Sequence, residues 1–189
     1  NKEVLPEIEE ILNRFERLLK NERLNESDFN LMLKRGNKTL EIFYDEKKKD
    51  ILEQDKIEFN FKNQGVVLGE AHLTGKIDRM RVLDGEIIVT DFKTGKNIED
   101  WDPKDKYDKI KAWKYRNQLV FYKILVENSN DFGGKYLMSK GIIEFVEPEK
   151  EKIIDLELKI EDGEVERMKK IIEVIYKKIK NLDFPDISE

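Results

Sequence analysis

The sequence predicts an α/β fold, a mixed central β-sheet flanked by helices, and three patterns predict it. Apolar residues recur at helical spacing near both ends of the chain. Between them lie runs of alternating apolar and polar residues, two of which are separated by Asp84-Gly85, a dipeptide suited to a two-residue type I′ turn. One face of the resulting hairpin carries Met80, Val82, Ile87 and Val89, an apolar stripe fit for burial under a helix.

Each element has its own signal. Ile8, Ile11, Leu12, Phe15, Leu18 and Leu19 predict an amphipathic helix over residues 3–21. A second helix is expected from the cap residue Ser27 to about Lys47, with Phe29, Leu33, Leu40 and Phe43 inward and a weak point or break at Gly36. These make residues 1–50 a helical lead-in. A core sheet is expected over 57–160. Alternation from Ile57 to Phe61 predicts a strand, and Asn63-Gln64-Gly65 a turn. One long strand is then expected from Val66 to Leu83, bent near Gly69 or Gly75, and another from Glu86 to Lys93. A helix follows over about 108–127, then strands over 135–146 and 152–160 on either side of Glu147-Pro148. Val165, Met168, Ile172, Ile175, Ile179 and Leu182 predict a last helix over 162–182.

Composition narrows the class. A chain of 189 residues is long enough for one domain with a substantial core. Charged residues make up 41 %, which predicts a heavily charged surface, while the apolar periodicity is too strong for disorder. The chain has no cysteine, which excludes disulfides, thiolate zinc sites and an iron–sulfur cluster. No apolar run approaches membrane-spanning length and no signal peptide is visible, so no membrane partner and a cytoplasmic location are expected. The chain starts at Asn1 rather than Met and reads as a single domain, 1–189, cut from a longer protein.

The hairpin carries the chemistry. With Asp84 and Gly85 in the turn, Leu83 faces Glu86, and stepping down the ladder sets Asp78 opposite Asp91. Directly opposed residues share a face, with Cβ atoms about 4.5–5.5 Å apart. Lys93, two residues beyond Asp91, returns to that face. Like charges placed opposite each other ask for a compensating cation, and a hard divalent metal held by oxygen is the natural one. The bland alternative is a surface strand with chance acids and a lysine, for which the apolar lead-in has no use.

Gly75-Lys76-Ile77-Asp78, then Asp91-Phe92-Lys93-Thr94-Gly95, then Gln118-Leu119-Val120-Phe121-Tyr122 resembles the PD-(D/E)XK nuclease superfamily. The nearest branch is the RecB-type nuclease domain associated with UvrD-like helicases. The likeness covers roughly residues 57–126 closely. It implies a restriction-endonuclease-like core and metal-dependent hydrolysis of DNA phosphodiester bonds, exonuclease or endonuclease, in DNA recombination and repair. It also implies partnership with a UvrD-like helicase in the same polypeptide or complex, and DNA, single-stranded, as the substrate.

In that reading Asp78 and Asp91 are ligands of Mg²⁺, with Mn²⁺ as substitute, and the Phe92 carbonyl is a third protein oxygen. Lys93 orients or helps deprotonate the attacking water, its pKa lowered by Lys76 across the ladder. Gln118 and Tyr122, four apart on a helix, brace the site or hold a DNA phosphate; alternatively Tyr122 is core and Gln118 helix surface. Asp91→Ala is expected to leave the metal-free protein as stable as before, or more so.

Net charge is −5, poor for a stand-alone DNA binder, but residues 93–116 hold eight basic against five acidic residues. Lys96, Lys111, Lys114 and Arg116 are candidate phosphate contacts, and Trp113 a stacking platform, with Trp101, Tyr107 and Tyr115 nearby; a solvated loop with core aromatics is the competing reading. The resemblance also calls for a histidine or glutamate from an earlier helix. His72, six residues before Asp78, is too far along an extended strand, and Glu41, Glu46, Glu58 and Glu70 are unranked candidates. That residue is therefore expected upstream of Asn1, and a nuclease-fold module that binds DNA or docks on a helicase without cutting remains the alternative.

Overall fold

Residues 5–184 are described by this computed structural model. Their elements run α1 (Ile8–Leu19), α2 (Glu26–Lys47), β1 (Lys56–Asn60), β2 (Val67–Leu68), β3 (Ala71–His72), β4 (Lys76–Leu83), β5 (Glu86–Lys93), α3 (Lys106–Glu127), β6 (Leu137–Glu149), β7 (Lys152–Leu158) and α4 (Asp162–Lys180). A mixed five-stranded sheet has the order β1-β4-β5-β6-β7, and β2 and β3 form a separate two-stranded sheet. The expected α/β class stands. No helix among the described residues is long and apolar enough to cross a membrane.

The chain divides into two compact units. The first comprises residues 1–54, 92–97 and 144–155. In it α1 lies against α2, and Gly36 is the point of close approach. A Cβ built there would stand 2.2 Å from Phe15 Cζ. The expected break at Gly36 is absent: α2 is continuous, and the glycine serves packing. The cap is also corrected. Asn25, not Ser27, is the N-cap, its side chain accepting from the Asp28 N–H. The Phe43 and Phe92 rings meet edge-on at 6.1 Å. Lys47, at the end of α2, is buried between Glu144 (3.0 Å) and Asp155. Burial alone would lower its pKa; the Asp155 and Glu144 carboxylates outweigh that and hold it above the usual lysine value.

The second unit comprises residues 55–91, 98–143 and 156–189. Its core is Phe61, Ile77, Met80, Ile87, Val89, Leu119, Ile124, Leu125 and Ile143. β4 pairs antiparallel with β5 in the expected register: Leu83 faces Glu86, Val82 faces Ile87, Met80 faces Val89 and Arg79 faces Thr90. Asp84 and Gly85 have φ of 38° and 86°, the left-handed pair that a type I′ turn needs. The single strand expected over Val66–Leu83 is instead three. Gly69 takes φ of 58°, turning the chain so that β2 and β3 pair with each other before β4 begins. Phe61 closes β1 in a short 3₁₀ turn rather than extending it.

Two other boundaries move for local reasons. Asp105 caps α3 through the Tyr107 and Asp108 N–H groups, so the helix starts two residues before its expected position. The turn between β6 and β7 falls at Lys150 and Glu151, both left-handed at φ of 49° and 64°, and not at Glu147-Pro148, which remain in β6.

Candidate active site

The ladder brings the two acids together. Carrying the observed pairing of Arg79 with Thr90 one step further sets Asp78, half-buried on β4, across from Asp91, which is 2 % exposed on β5. A carboxylate this deep needs hydrogen-bond donors, and α3 provides them. Gln118 Nε2 donates to Asp91 Oδ1 at 2.7 Å, and the Tyr122 hydroxyl donates to the same oxygen at 2.8 Å. Gln118 Nε2 also reaches the Tyr122 oxygen at 2.7 Å, which closes a triangle. Four-residue spacing on one helix face makes this possible. Of the two roles expected for the pair, bracing the acid is the one these hydrogen bonds perform.

Tyr122 is buried, and burial pushes its phenol well above the ordinary tyrosine value. The Asp91 charge acts next in the same direction, and the Asp78 charge adds to it. Both carboxylates therefore act on one phenol, which stays protonated and donating. Both α3 donors act on Oδ1; Oδ2 takes no part in those two bonds. The bracket fixes the plane of the carboxylate.

The bracket also reverses one expectation. Asp91→Ala would relieve repulsion, but it would strand the Tyr122 hydroxyl and the Gln118 amide, so loss of stability is now expected.

Lys93 is two residues past Asp91 on β5 and has the same side-chain parity. Phe92 is half-buried against Phe43. Lys76 of β4 forms an ion pair with Glu58, which raises the Lys76 pKa. Lys96 is exposed just after β5. Lys114 is exposed, Lys111 stands 3.6 Å from Asp108, and Trp113 is 67 % exposed. Arg116 is not a bare phosphate contact: Glu164 of α4 holds its guanidinium and raises its pKa. Trp101 is likewise a structural residue, its indole N–H donating to the Glu157 carbonyl at 2.7 Å.

Of the four glutamates considered as a further ligand, three have other work. Glu46 accepts from the Ile153 N–H, Glu58 pairs with Lys76 and Glu70 pairs with Lys180. Glu41 is exposed on α2. His72 is exposed on β3, outside the strand that carries Asp78. Among the described residues no group of three or more His, Cys, Asp or Glu could hold a metal ion. Two opposed carboxylates still suit a hard divalent cation, which can keep waters in its shell and so need few protein oxygens.

Sequence reasoning gave Arg79 no role. It is 8 % exposed, and its Nη2 donates to Thr90 Oγ1 at 3.1 Å on the sheet face opposite the acids. This cross-strand bond ties β4 to β5 one step from the Asp78–Asp91 pair. An arginine facing a threonine in the predicted register was the signal available for it.

A family model described as the PD-(D/E)XK nuclease superfamily matches residues 2–188. No curated protein matches the chain.

Proposed function

Since the chain belongs to the PD-(D/E)XK nuclease superfamily, we propose that it hydrolyses DNA phosphodiester bonds with a divalent metal, Mg²⁺ or Mn²⁺ in its place, at Asp78 and Asp91. The observation that carries this is the Asp91 bracket. A buried carboxylate opposite a second one, held through one oxygen by Gln118 and Tyr122, is costly as mere structure and useful as a fixed ligand. When bound, the metal supplies a water of lowered pKa and neutralises the leaving oxygen.

The chain's own groups do the rest. Asp78 and Asp91 present carboxylate oxygens, with the Phe92 carbonyl as a third. The α3 donors keep Asp91 from rotating. Lys93 orients the attacking water and screens the negative charge developing on the phosphoryl oxygens. Lys96, Lys111 and Lys114 guide the strand. The finer reading is a RecB-type domain working with a UvrD-like helicase on single-stranded DNA during recombination and repair, in the cytoplasm. The local basic excess beside an acidic site supports it, because such a rim suits a strand delivered by a motor.

The test is cleavage of an end-labelled single strand. Cutting should require Mg²⁺ or Mn²⁺ and fall at least a hundredfold in Asp91→Asn and in Lys93→Ala, on the order of lost ligand or orienting groups. Cleavage that persists in Asp91→Asn would sink the reading. A second reading, binding without cutting, is favoured by one observation: Glu46, Glu58 and Glu70 are all engaged away from the acids. DNA binding with no metal-dependent cleavage would select it.

A further inference from the structure

α3 holds the site by one face, and that face continues outward. Counting back from Tyr122, the positions 118, 115, 111 and 107 follow at intervals of four, three, four and four, with Lys114 three beyond Lys111 and four before Gln118. At about 100° per residue, all of them fall within roughly a quarter-turn of Tyr122. Exposure rises along the stripe. Tyr122 is buried, Gln118, Tyr115 and Lys111 are half-buried, Lys114 is exposed, and Tyr107 at the far end is 75 % exposed. The stripe runs about 22 Å at 1.5 Å per residue, the length of several nucleotides.

Trp113 is elsewhere. It lies nine residues from Tyr122, which is two and a half turns, so it projects from the opposite side of α3. Arg116, three residues on, is tied to Glu164 of α4, which marks that flank as the one facing α4. The tryptophan is thus set apart from Lys111 and Lys114 by helix geometry and lies on the Arg116 flank.

We propose that single-stranded nucleic acid approaches Asp91 along the Tyr107–Lys111–Lys114–Gln118 stripe of α3, with Tyr107 as the platform on which a base stacks and Trp113 outside the path. This rests on the hydrolytic reading above for its substrate class. The chemistry is that of a strand-tracking groove. Lys111 and Lys114 meet successive phosphates, an exposed aromatic takes a base face, and the amide and phenol at the inner end already hold the acid.

The experiment is anisotropy of fluorescein-labelled oligothymidylate with the full chain, in buffer holding Ca²⁺, across a salt series. Cleavage of the same strand in Mg²⁺ is followed in parallel. Tyr107→Ala should weaken binding about five- to a hundredfold, the range for loss of one stacked base. Trp113→Ala should change it less than about twofold. Replacing Lys111 and Lys114 by alanine should lower the salt slope by about 1.4, at roughly 0.7 per single-strand phosphate. Weakening by Trp113→Ala with none by Tyr107→Ala would overturn the path. So would cleavage and binding that both survive Tyr107→Ala and the double lysine change; the hydrolytic reading would then stand alone. A chain that neither binds nor cuts would remove both.

Discussion

Asp91 concentrates the physical chemistry of this protein in one side chain. Hydrogen bonds to a buried charge contribute about 1.5–3 kcal/mol each, more than neutral ones, because a donor left behind in the interior has no water to replace its partner. Tyr122→Phe removes one such bond and leaves Gln118 in place. We expect a loss of about 1–2 kcal/mol at neutral pH by urea denaturation. The pH dependence should have a definite sign. The folded phenol has a raised pKa, so above the ordinary tyrosine value near 10 the unfolded chain releases a proton that the folded chain keeps. Stability contributed by Tyr122 is therefore complete below about pH 10 and declines above it. The gap between wild type and Tyr122→Phe should narrow on the alkaline side; a constant gap up to pH 11 would contradict the raised phenol. Asp91→Ala should destabilise the metal-free protein by about 1–3 kcal/mol. Calorimetric titration with Mn²⁺ should lose its signal in Asp91→Ala and in Asp78→Asn.

Among the elements, α2 and α4 show how packing overrides composition. Glycine in a helix interior costs about 1 kcal/mol relative to alanine, so propensity alone would favour Gly36→Ala. The Phe15 ring occupies the place of that methyl group. We expect Gly36→Ala to lower stability by about 1–3 kcal/mol through overpacking, and a smaller residue at Phe15 to reverse part of the effect in a double-mutant cycle. Additive effects would show that the two helices separate freely here. At α4, Glu161 and Glu164 form a capping box, and Glu164 also holds Arg116. The Arg116 hydrogen bond, set against burial, keeps the Glu164 carboxyl below its usual range. Its stabilisation is present above the unfolded carboxyl pKa, near 4.5, and is lost as pH falls through the folded value. Glu164→Gln should thus lower the melting temperature at pH 7 and matter progressively less toward pH 3. Equal shifts at both pH values would rule out a charge-based contribution.

Over the whole molecule, two units are drawn from a chain that crosses between them several times, and each has its own polar anchor. In the first unit Lys47 sits between Glu144 and Asp155, and Glu144 is only 2 % exposed. Removing one member of a buried ion pair costs about 3–5 kcal/mol, because the remaining charge is uncompensated. Lys47→Met should cost that much. Hydrogen exchange should quicken in α2 and in residues 144–155 first. Exchange that quickens equally throughout the chain would mean that the unit has no stability of its own.

The legible part of this protein was local. Asp84-Gly85 and the period of two on either side sufficed for the register of β4 and β5, and with it the opposition of Asp78 and Asp91, because a two-residue turn leaves one pairing that keeps Met80, Val82, Ile87 and Val89 on a common face. Helices with strong apolar periodicity were legible to within a few residues for the same reason. The rest depended on partners distant in the chain. The hydrogen bonds of Gln118 and Tyr122 to Asp91 span 27 and 31 residues, Lys47 meets Asp155 across 108, and Arg116 is claimed by a residue 48 positions on. Gly36 is a weak helix residue until Phe15 arrives, and Lys76 an exposed strand lysine until Glu58 pairs with it. Turn chemistry and periodicity act over a few residues and are written in the order of the amino acids. Which donor reaches a buried carboxylate, and which ring fills a missing side chain, is decided only when the chain has folded and every buried polar group has to find a partner.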